Sequence, residues 1–338
     1  MEEHKWRYLQ SFLKRKPTSV EECVKAIEKW EEGTRQCYSE NIDLSSDDFI
    51  RMVLVDGAFI IELFLLNHSP QMRAENDIIF DKRKPWMITN VRRDMSLMEN
   101  QLPFFVLENL FKITFETQLE TQSSLLELAY NFFRVEANLK AELGKERMFD
   151  SEVKHLLDAL RFWHLPTPQK ALDYKWEKIE AIPRAKQLQA AGVKFRMSKS
   201  NCLFDIEFSK GVLEIPCFKL NPATESFLRN IMAFEQSCYR HDSYFIDYVA
   251  FLGDLIKTRA DVKLLIKKGI IAPENLLGNE EILANNDETL ANLFNSFGKE
   301  SWFRTTNIGF CILQQNLKAY YETHWHKVKV PMVSKKKH

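Results

Sequence analysis

Glycine is scarce in this sequence, with 10 residues among 338, well below the roughly 7% of ordinary proteins. Folds that depend on many tight turns or on phosphate-binding loops are therefore disfavoured. The sequence contains neither a P-loop nor a Gly-x-Ser-x-Gly elbow. An excess of charge of either sign is also absent, because 47 basic residues balance 47 acidic ones. This balance argues against nucleic-acid binding, which favours an excess of Lys and Arg.

Long hydrophobic runs are absent too. The longest stretch without Asp, Glu, Lys or Arg is 305–317, and a membrane-spanning helix needs about 20 mostly apolar residues. The first residues, Met-Glu-Glu-His-Lys-Trp, are acidic where a signal peptide is basic. The sequence therefore predicts a chain without a transmembrane helix that is cytoplasmic or peripheral at a membrane.

The six cysteines show no Cys-x-x-Cys pair, so neither zinc-ligand spacing nor a disulfide framework is indicated. Cys202 and Cys217 flank a predicted hairpin and are candidates for pairing, but free thiols in a reducing compartment are the expected state. The sequence indicates no metal site and no cofactor.

Hydrophobic residues make up 45% of the chain and include 25 Phe, which is enough for a sizeable core. Apolar periodicity predicts a mainly α fold in a single domain over 1–327, followed by a basic disordered tail over 328–338. One small β element interrupts the helices at about 202–216, where Phe204, Ile206 and Phe208 alternate with acidic residues before a Ser-Lys-Gly turn. The predicted helices are 5–38 with a break at Pro17, 47–66, one from Pro103, 121–142, 150–162, 222–237, 242–257, 259–268, 279–297 and 305–327.

The helix 47–66 carries the most informative charge in the N-terminal half. At about 100° per residue, Asp48, Arg51 and Glu62 fall on one side and are expected to form a solvated stripe. Asp56 falls among apolar residues, where an unpaired carboxylate costs several kcal/mol. Asp56 is therefore predicted to have a polar partner.

A polar cluster is the expected environment of this carboxylate. Its predicted members are Asp56, Glu99, Asn100, Gln101 and either Arg92 or Arg93. The cluster either caps the helix that begins at Pro103, as a structural latch, or uses Asp56 and Glu99 as an acid/base pair of an enzyme of unrecognised type. The latch is favoured because no nucleophile or metal-ligand set accompanies the acids, and no catalytic residue is predicted.

Near the C-terminus, His324 and His326 flank Trp325. Residues i and i+2 of a helix point about 200° apart and cannot share one ion, so the segment is interpreted as a contact with a membrane surface or a protein partner. The Lys335–Lys337 run that follows either attracts anionic lipid or is a solvated end.

Several words along the chain, in order, resemble the plant family catalogued as domain of unknown function 247. They are Glu3-His4-Lys5-Trp6-Arg7-Tyr8-Leu9, Cys37-Tyr38-Ser39-Glu40, Leu54-Val55-Asp56-Gly57, Arg93-Asp94 with Glu99-Asn100-Gln101, Ala191-Gly192-Val193-Lys194-Phe195, Leu213-Glu214-Ile215-Pro216, Arg229-Asn230 with Ala233-Phe234-Glu235, and Asp261-Val262 with Lys268-Gly269-Ile270-Ile271.

The resemblance implies a largely helical domain, usually followed by one C-terminal membrane helix, and some relatives are implicated in reproductive recognition between plants. It brings no catalytic residues. This chain departs from the pattern at both ends and is expected to be a short member without the usual N-terminal segment and membrane helix. Together these observations favour a non-enzymatic interaction or recognition and signalling module acting near a membrane, with an unidentified protein partner.

Overall fold

The computed structural model describes residues 2–15, 19–115, 123–134, 153–166, 181–221, 223–273, 280–300 and 308–334, with only the backbone at 280–286, 298–300, 308 and 325–334. Thirteen α-helices and five short strands occupy these ranges, which confirms the predicted mainly α class. The chain divides into two compact units, Met1–Trp163 and His164–His338. The single-domain extent 1–327 stays a prediction.

The described residues of the N-terminal unit form helices joined by turns and loops, without a β-strand. Its helices are α1 (Glu2–Lys14), α2 (Val20–Arg35), α3 (Ser46–His68), α4 (Trp86–Met95), α5 (Phe104–Phe115), α6 (Leu125–Phe133) and α7 (Leu156–His164), with a 3-10 turn at Pro70–Met72. Several starts are encoded locally. The Ser19 hydroxyl accepts the backbone N–H of Glu22 in a capping box, and Ser45 caps α3 in a similar way.

Helix α3 is the centre of this unit, with α1, α2, α5 and α6 packed around it. Its second half is buried on nearly every side, and Phe64 contacts the ring of Phe132 at 5.1 Å between centroids. Each fully buried Phe or Leu side chain contributes about 1.5–3 kcal/mol. Helix α5 approaches α3 at Gly57, where a Cβ atom would lie 2.7 Å from Leu110 Cδ1. A glycine here permits the close contact.

The C-terminal unit combines helices with two small sheets. Its helices are α8 (Ala185–Ala190), α9 (Thr224–Cys238), α10 (Tyr244–Leu255), α11 (Arg259–Lys267), α12 (Glu280–Glu300) and α13 (Ile308–Ser334). Its strands are β1 (Lys194–Ser198), β2 (Glu207–Ser209), β3 (Val212–Pro216), β4 (Phe218–Leu220) and β5 (Ile271–Pro273). The sheet order is β1-β3-β2, with β1 parallel and β2 antiparallel to β3, and β4 pairs in parallel with β5.

The predicted hairpin is confirmed as β2 and β3. Lys210 and Gly211 form its two-residue turn with φ values of 50° and 75°, and two successive positive φ values are typical of a type I′ turn. Ser209 and Val212 pair on either side of the turn. Strand β2 is shorter than predicted. Phe204 lies before it and packs instead against aromatic side chains of α10.

Helix α13 is longer than the predicted 305–327, since its backbone continues to Ser334 where a disordered tail was expected from residue 328. Residues 335–338 lie outside the described part of the chain. Within that part, no helix has both the length and the apolar character that a bilayer crossing requires.

Candidate functional site

Asp56 lies on α3 and faces α1. The Lys5 ammonium is 2.7 Å from its Oδ1 atom, and the two side chains are 25% and 30% exposed. Burial lowers the pKa of Lys5, but the hydrogen bonds and charges of Asp56 and Glu2 together outweigh it and leave that pKa raised. The predicted partner of Asp56 therefore exists, but it is Lys5 and neither Arg92 nor Arg93.

Tyr38, which follows α2, bonds the segment before α5. Its hydroxyl donates to the backbone carbonyl of Gln101 at 3.0 Å. Burial, together with the negative charges of Cys37 and Asp56, raises the pKa of Tyr38 to about 12. The phenol is thus a neutral hydrogen-bond donor at physiological pH.

The Gln101 side chain joins two helix ends. Its Nε2 atom donates to the carbonyls of Met95 and Leu97 at 2.9 and 2.6 Å, and its Oε1 atom accepts the N–H of Leu157 at 3.1 Å. The Met95 carbonyl at the end of α4 and the Leu157 N–H at the start of α7 are helix-end groups of the kind that lack partners within their own helices. One amide therefore bonds both helix ends, whereas the predicted latch was to cap the helix that begins at Pro103.

Of the remaining members of the predicted cluster, Arg92 is half-buried with its guanidinium 4.7 Å from the Phe132 ring centroid, and the others lie at the surface. Arg93 pairs with its neighbour Asp94 at 3.2 Å, and Asn100 Nδ2 donates to the Asp94 carbonyl at 2.9 Å. Glu99 is exposed, and among the described residues no hydrogen bond or ion pair joins it to Asp56. Tyr38 bonds Gln101 and is influenced by the charge of Asp56, whereas the described residues show no contact between the Asp56 and Glu99 carboxylates.

Glu62 was predicted to be solvated, and this was wrong. Its side chain is 1% exposed and receives two hydrogen bonds of 2.6 Å from the Arg15 guanidinium. Asp48 and Arg51 are solvated as predicted. The three side chains share an angle around α3, but Glu62 lies about three to four turns further along, where α1 covers that side of the helix. Helical periodicity gives the angle of a side chain around the helix axis. It does not tell which part of the length of the helix another helix covers.

At the C-terminal end, His324 stacks on Tyr320 with 3.9 Å between ring centroids, and its Nδ1 atom lies 2.9 Å from the Tyr320 carbonyl. The Tyr320 ring in turn packs on Phe208 of the hairpin. Trp325 and His326 lie in α13, but their side chains, like residues Lys335, Lys336 and Lys337, fall outside the described set. Across the described ranges, no three His, Cys, Asp or Glu side chains form a metal-binding group.

A second polar centre, which the sequence analysis missed, lies at Asp261. This fully buried carboxylate accepts the N–H and hydroxyl of Thr258 at 2.9 and 2.7 Å and the N–H of Lys186 at 2.9 Å. The first of these bonds belongs to the capping box of α11, which the Thr-x-x-Asp spacing signals in the sequence. The third ties the start of α8 to α11, and no local pattern indicates it.

Cys202 and Cys217 are both thiols in the structure. The Cys202 Sγ atom donates to the His164 carbonyl at 3.7 Å. Burial raises the pKa of Cys217, which reduces its reactivity as a thiolate.

Comparisons with known proteins place this chain among plant sequences. UPF0481 protein At3g47200 of Arabidopsis thaliana is 30% identical over 307 residues, covering 83% of this chain and 63% of that protein. Putative UPF0481 protein At3g02645 of the same plant is 22% identical over 410 residues, covering 91% of this chain and 72% of that protein. No solved structure matches.

The chain thus spans 63% of the length of the first of these relatives. The family model described as "Plant protein of unknown function", domain of unknown function 247, matches residues 1–338. The resemblance drawn from the sequence words is confirmed, and this chain belongs to that plant family.

Proposed function

We propose that this chain is a non-enzymatic module that binds another protein, in recognition or signalling near a membrane. The observation that carries the proposal is the exposure of two tryptophan side chains on the N-terminal unit. Trp6 of α1 is 47% exposed and Trp86 at the start of α4 is 56% exposed. Tryptophan is among the residue types most enriched at the energetic centres of protein interfaces.

Both tryptophans lie beside well-packed scaffolding. In α1, Tyr8, Leu9 and Phe12 are buried, which leaves Trp6 on the flank of the helix. In α4, only Val91 and Met95 are buried. Exposing a large aromatic surface to water is unfavourable. The free energy therefore falls when a partner covers either ring.

The non-enzymatic part of the proposal is supported by the bonding of the polar cluster. Asp56 is neutralised by Lys5, Tyr38 donates to a backbone carbonyl, and Gln101 uses both its amide nitrogen and its oxygen on helix ends. Groups that are already satisfied in this way stabilise a fold. The proximity to a membrane is supported only by the family resemblance and by the basic Lys335–Lys337 sequence.

Crosslinking followed by affinity purification from plant tissue tests this proposal. The chain is expressed with a tag as wild type, Trp6→Ala, Trp86→Ala and Asp56→Ala, and soluble and membrane fractions are compared. Val20→Ala is the matched control, because Val20 is 45% exposed on α2. We expect one protein partner, enriched in the membrane fraction, whose yield falls at least tenfold with either tryptophan variant and stays unchanged with Val20→Ala.

Asp56→Ala separates the proposal from the enzymatic alternative. This variant should be less stable and yet bind the partner normally per folded molecule, because the Asp56–Lys5 pair is structural. Equal partner recovery from every variant would overturn the assignment to the tryptophans. A folded Asp56→Ala protein that loses turnover of a metabolite found with the wild type would overturn the non-enzymatic reading.

A further inference from the structure

The C-terminal unit contains a lysine-lined cleft between α8 and α11. The cleft has a volume of about 320 Å³, and its lysines are Lys186, Lys263, Lys267 and Lys268. Gln189 and Leu264 line it as well, and none of the described residues that line it carries a carboxylate. Such a volume lies at the small end of the range for ligand pockets, about 300–1,000 Å³.

Helical spacing explains why these side chains meet. Lys263 and Lys267 are four residues apart and share one face of α11 with Leu264, while Lys186 and Gln189 are three residues apart on α8. The two helices are fastened by Asp261, which accepts the Lys186 N–H. The lysines therefore extend from two helices that this hydrogen bond holds together.

The positive charge in the cleft is only partly compensated. Lys263 Nζ is 3.9 Å from Asp287 Oδ2, and Arg259 competes for the same oxygen at 3.5 Å. Lys186 Nζ donates to the uncharged Gln189 Oε1 at 3.0 Å. In the described part of the chain, Lys267 and Lys268 have no carboxylate within 4.0 Å.

The dipole of α11 accounts for part of this arrangement. Cations near a helix C-terminus are stabilised by about 0.3–1 kcal/mol, and Lys267 and Lys268 occupy that end. Lys186 lies near the start of α8, where the dipole disfavours a cation, and Lys263 lies in the middle of α11. The dipole therefore does not explain why all four lysines line one concave surface.

We propose that this cleft binds a phosphate monoester anion. Lysine binds phosphate as a point charge, and a dianion would relieve the mutual repulsion of the four ammonium groups. Leu264 and Ala260 provide a small apolar floor suited to a carbon ring or chain that carries the phosphate. A soluble sugar or inositol phosphate and a phosphorylated inositol lipid headgroup share this chemistry. The proposal does not depend on the protein partner proposed above.

Isothermal titration calorimetry of the full chain with inositol 1,4,5-trisphosphate tests the site. Lys263→Gln/Lys267→Gln removes two charges from the cleft. Lys25→Gln/Lys29→Gln is the matched control, because Lys25 and Lys29 are exposed, four residues apart on α2, and remove the same net charge. We expect binding that weakens at least tenfold in the cleft variant and less than twofold in the control.

Vesicles of phosphatidylcholine with 5% phosphatidylinositol 4,5-bisphosphate identify the source of the phosphate. Sedimentation with these vesicles that is lost in the cleft variant alone assigns a lipid headgroup, whereas calorimetric binding without sedimentation assigns a soluble phosphate. If the first cleft variant does not fold, Lys186→Gln/Lys268→Gln takes its place.

Three results would overturn the proposal: no binding of either probe at millimolar concentration, equal weakening in cleft and control variants, or equally tight binding of a short oligonucleotide without a terminal phosphate. The partner purification described above, repeated with Lys263→Gln/Lys267→Gln, keeps the two proposals separate. Partner recovery should be unchanged, because the tryptophans carry that interaction.

Discussion

The Arg15 guanidinium donates two hydrogen bonds to the buried carboxylate of Glu62, both 2.6 Å long. The pair joins the end of α1 to the middle of α3, across 47 residues of sequence. Arg15 is 18% exposed, whereas Glu62 is almost fully buried. This bidentate geometry is among the stronger side-chain interactions in proteins, and it holds α1 against the central helix.

Replacing Arg15 alone should strongly destabilise the chain. Arg15→Met leaves the Glu62 carboxylate buried without its counterion, and breaking such a pair typically costs about 3–5 kcal/mol. Urea unfolding at neutral pH measures the loss, with the exposed neighbour Lys14→Met as a control expected to change stability by less than about 0.5 kcal/mol. The double variant Arg15→Met/Glu62→Met should recover most of the loss. A single-variant cost below about 1 kcal/mol would contradict this account.

The two helical glycines Gly33 and Gly57 should respond oppositely to alanine. A Cβ at Gly33 meets nothing within 4 Å, so Gly33→Ala should stabilise the chain by about 0.5–1 kcal/mol through helix propensity. At Gly57 the same change forces the buried Leu110 to move, and overpacking typically costs about 1–3 kcal/mol. Thermal unfolding of both variants, compared with wild type, shows whether each substitution raises or lowers the stability of the chain. Equal stabilisation would mean that Leu110 adapts freely.

The hairpin turn provides a third test. Lys210 has a φ of 50°, a conformation that asparagine tolerates better than lysine, and Asn-Gly is the preferred type I′ pair. Lys210→Asn should therefore stabilise the chain by about 0.5–1 kcal/mol. Gly211→Ala should destabilise it, because its φ is 75° and a Cβ would lie 2.8 Å from the Tyr320 hydroxyl. Chemical denaturation distinguishes them, and a neutral Gly211→Ala would refute the assigned turn.

His155 predicts a pH dependence. Its Nδ1 atom accepts the Asp158 N–H at 3.2 Å at the start of α7, and burial lowers the pKa of His155 below its usual 6.5. Below pH 6.5 the unfolded chain then binds a proton that the folded chain does not. The contribution of this residue to the free energy of unfolding is complete above pH 6.5 and is lost as pH falls toward the folded pKa.

Unfolding measured from pH 5 to 7.5 tests this window. His155→Asn keeps an acceptor at the helix start and should give a shallower pH slope than wild type over that range. The exposed His68→Asn is the control and should leave the slope unchanged. A wild-type slope preserved in His155→Asn would assign the pH dependence to other groups.

Much of the secondary structure follows from local sequence. Local sequence is enough to predict the helix caps at Ser19 and Ser45 and the Lys210–Gly211 turn, because each involves residues within about four positions of one another. The parallel pairs β1–β3 and β4–β5 were not predicted. Their partners are about 18 and 53 residues apart, and a three-residue strand such as β5 carries no detectable alternation.

In the polar cluster, too, the sequence predicted what depends on local chemistry and missed what depends on contacts between distant residues. The sequence indicated that Asp56 needs a partner, since that statement depends on helix geometry and hydrogen-bonding chemistry. It assigned Gln101 to the cluster that caps the helix beginning at Pro103, whereas Gln101 bonds the end of α4 and the start of α7. It did not identify Lys5 as that partner, and it assigned Glu62 to solvent.

By itself, the sequence determined a helix-rich fold, because apolar periodicity and capping residues act over a few positions. The family followed separately, from the resemblance of several short segments in order along the chain. Only the tertiary structure decided which carboxylate of α3 is enclosed, that Tyr38 meets Gln101, and that four lysines from α8 and α11 line one cleft. These arrangements depend on which helix covers which, and that choice minimises the free energy of the packed unit and not of any segment.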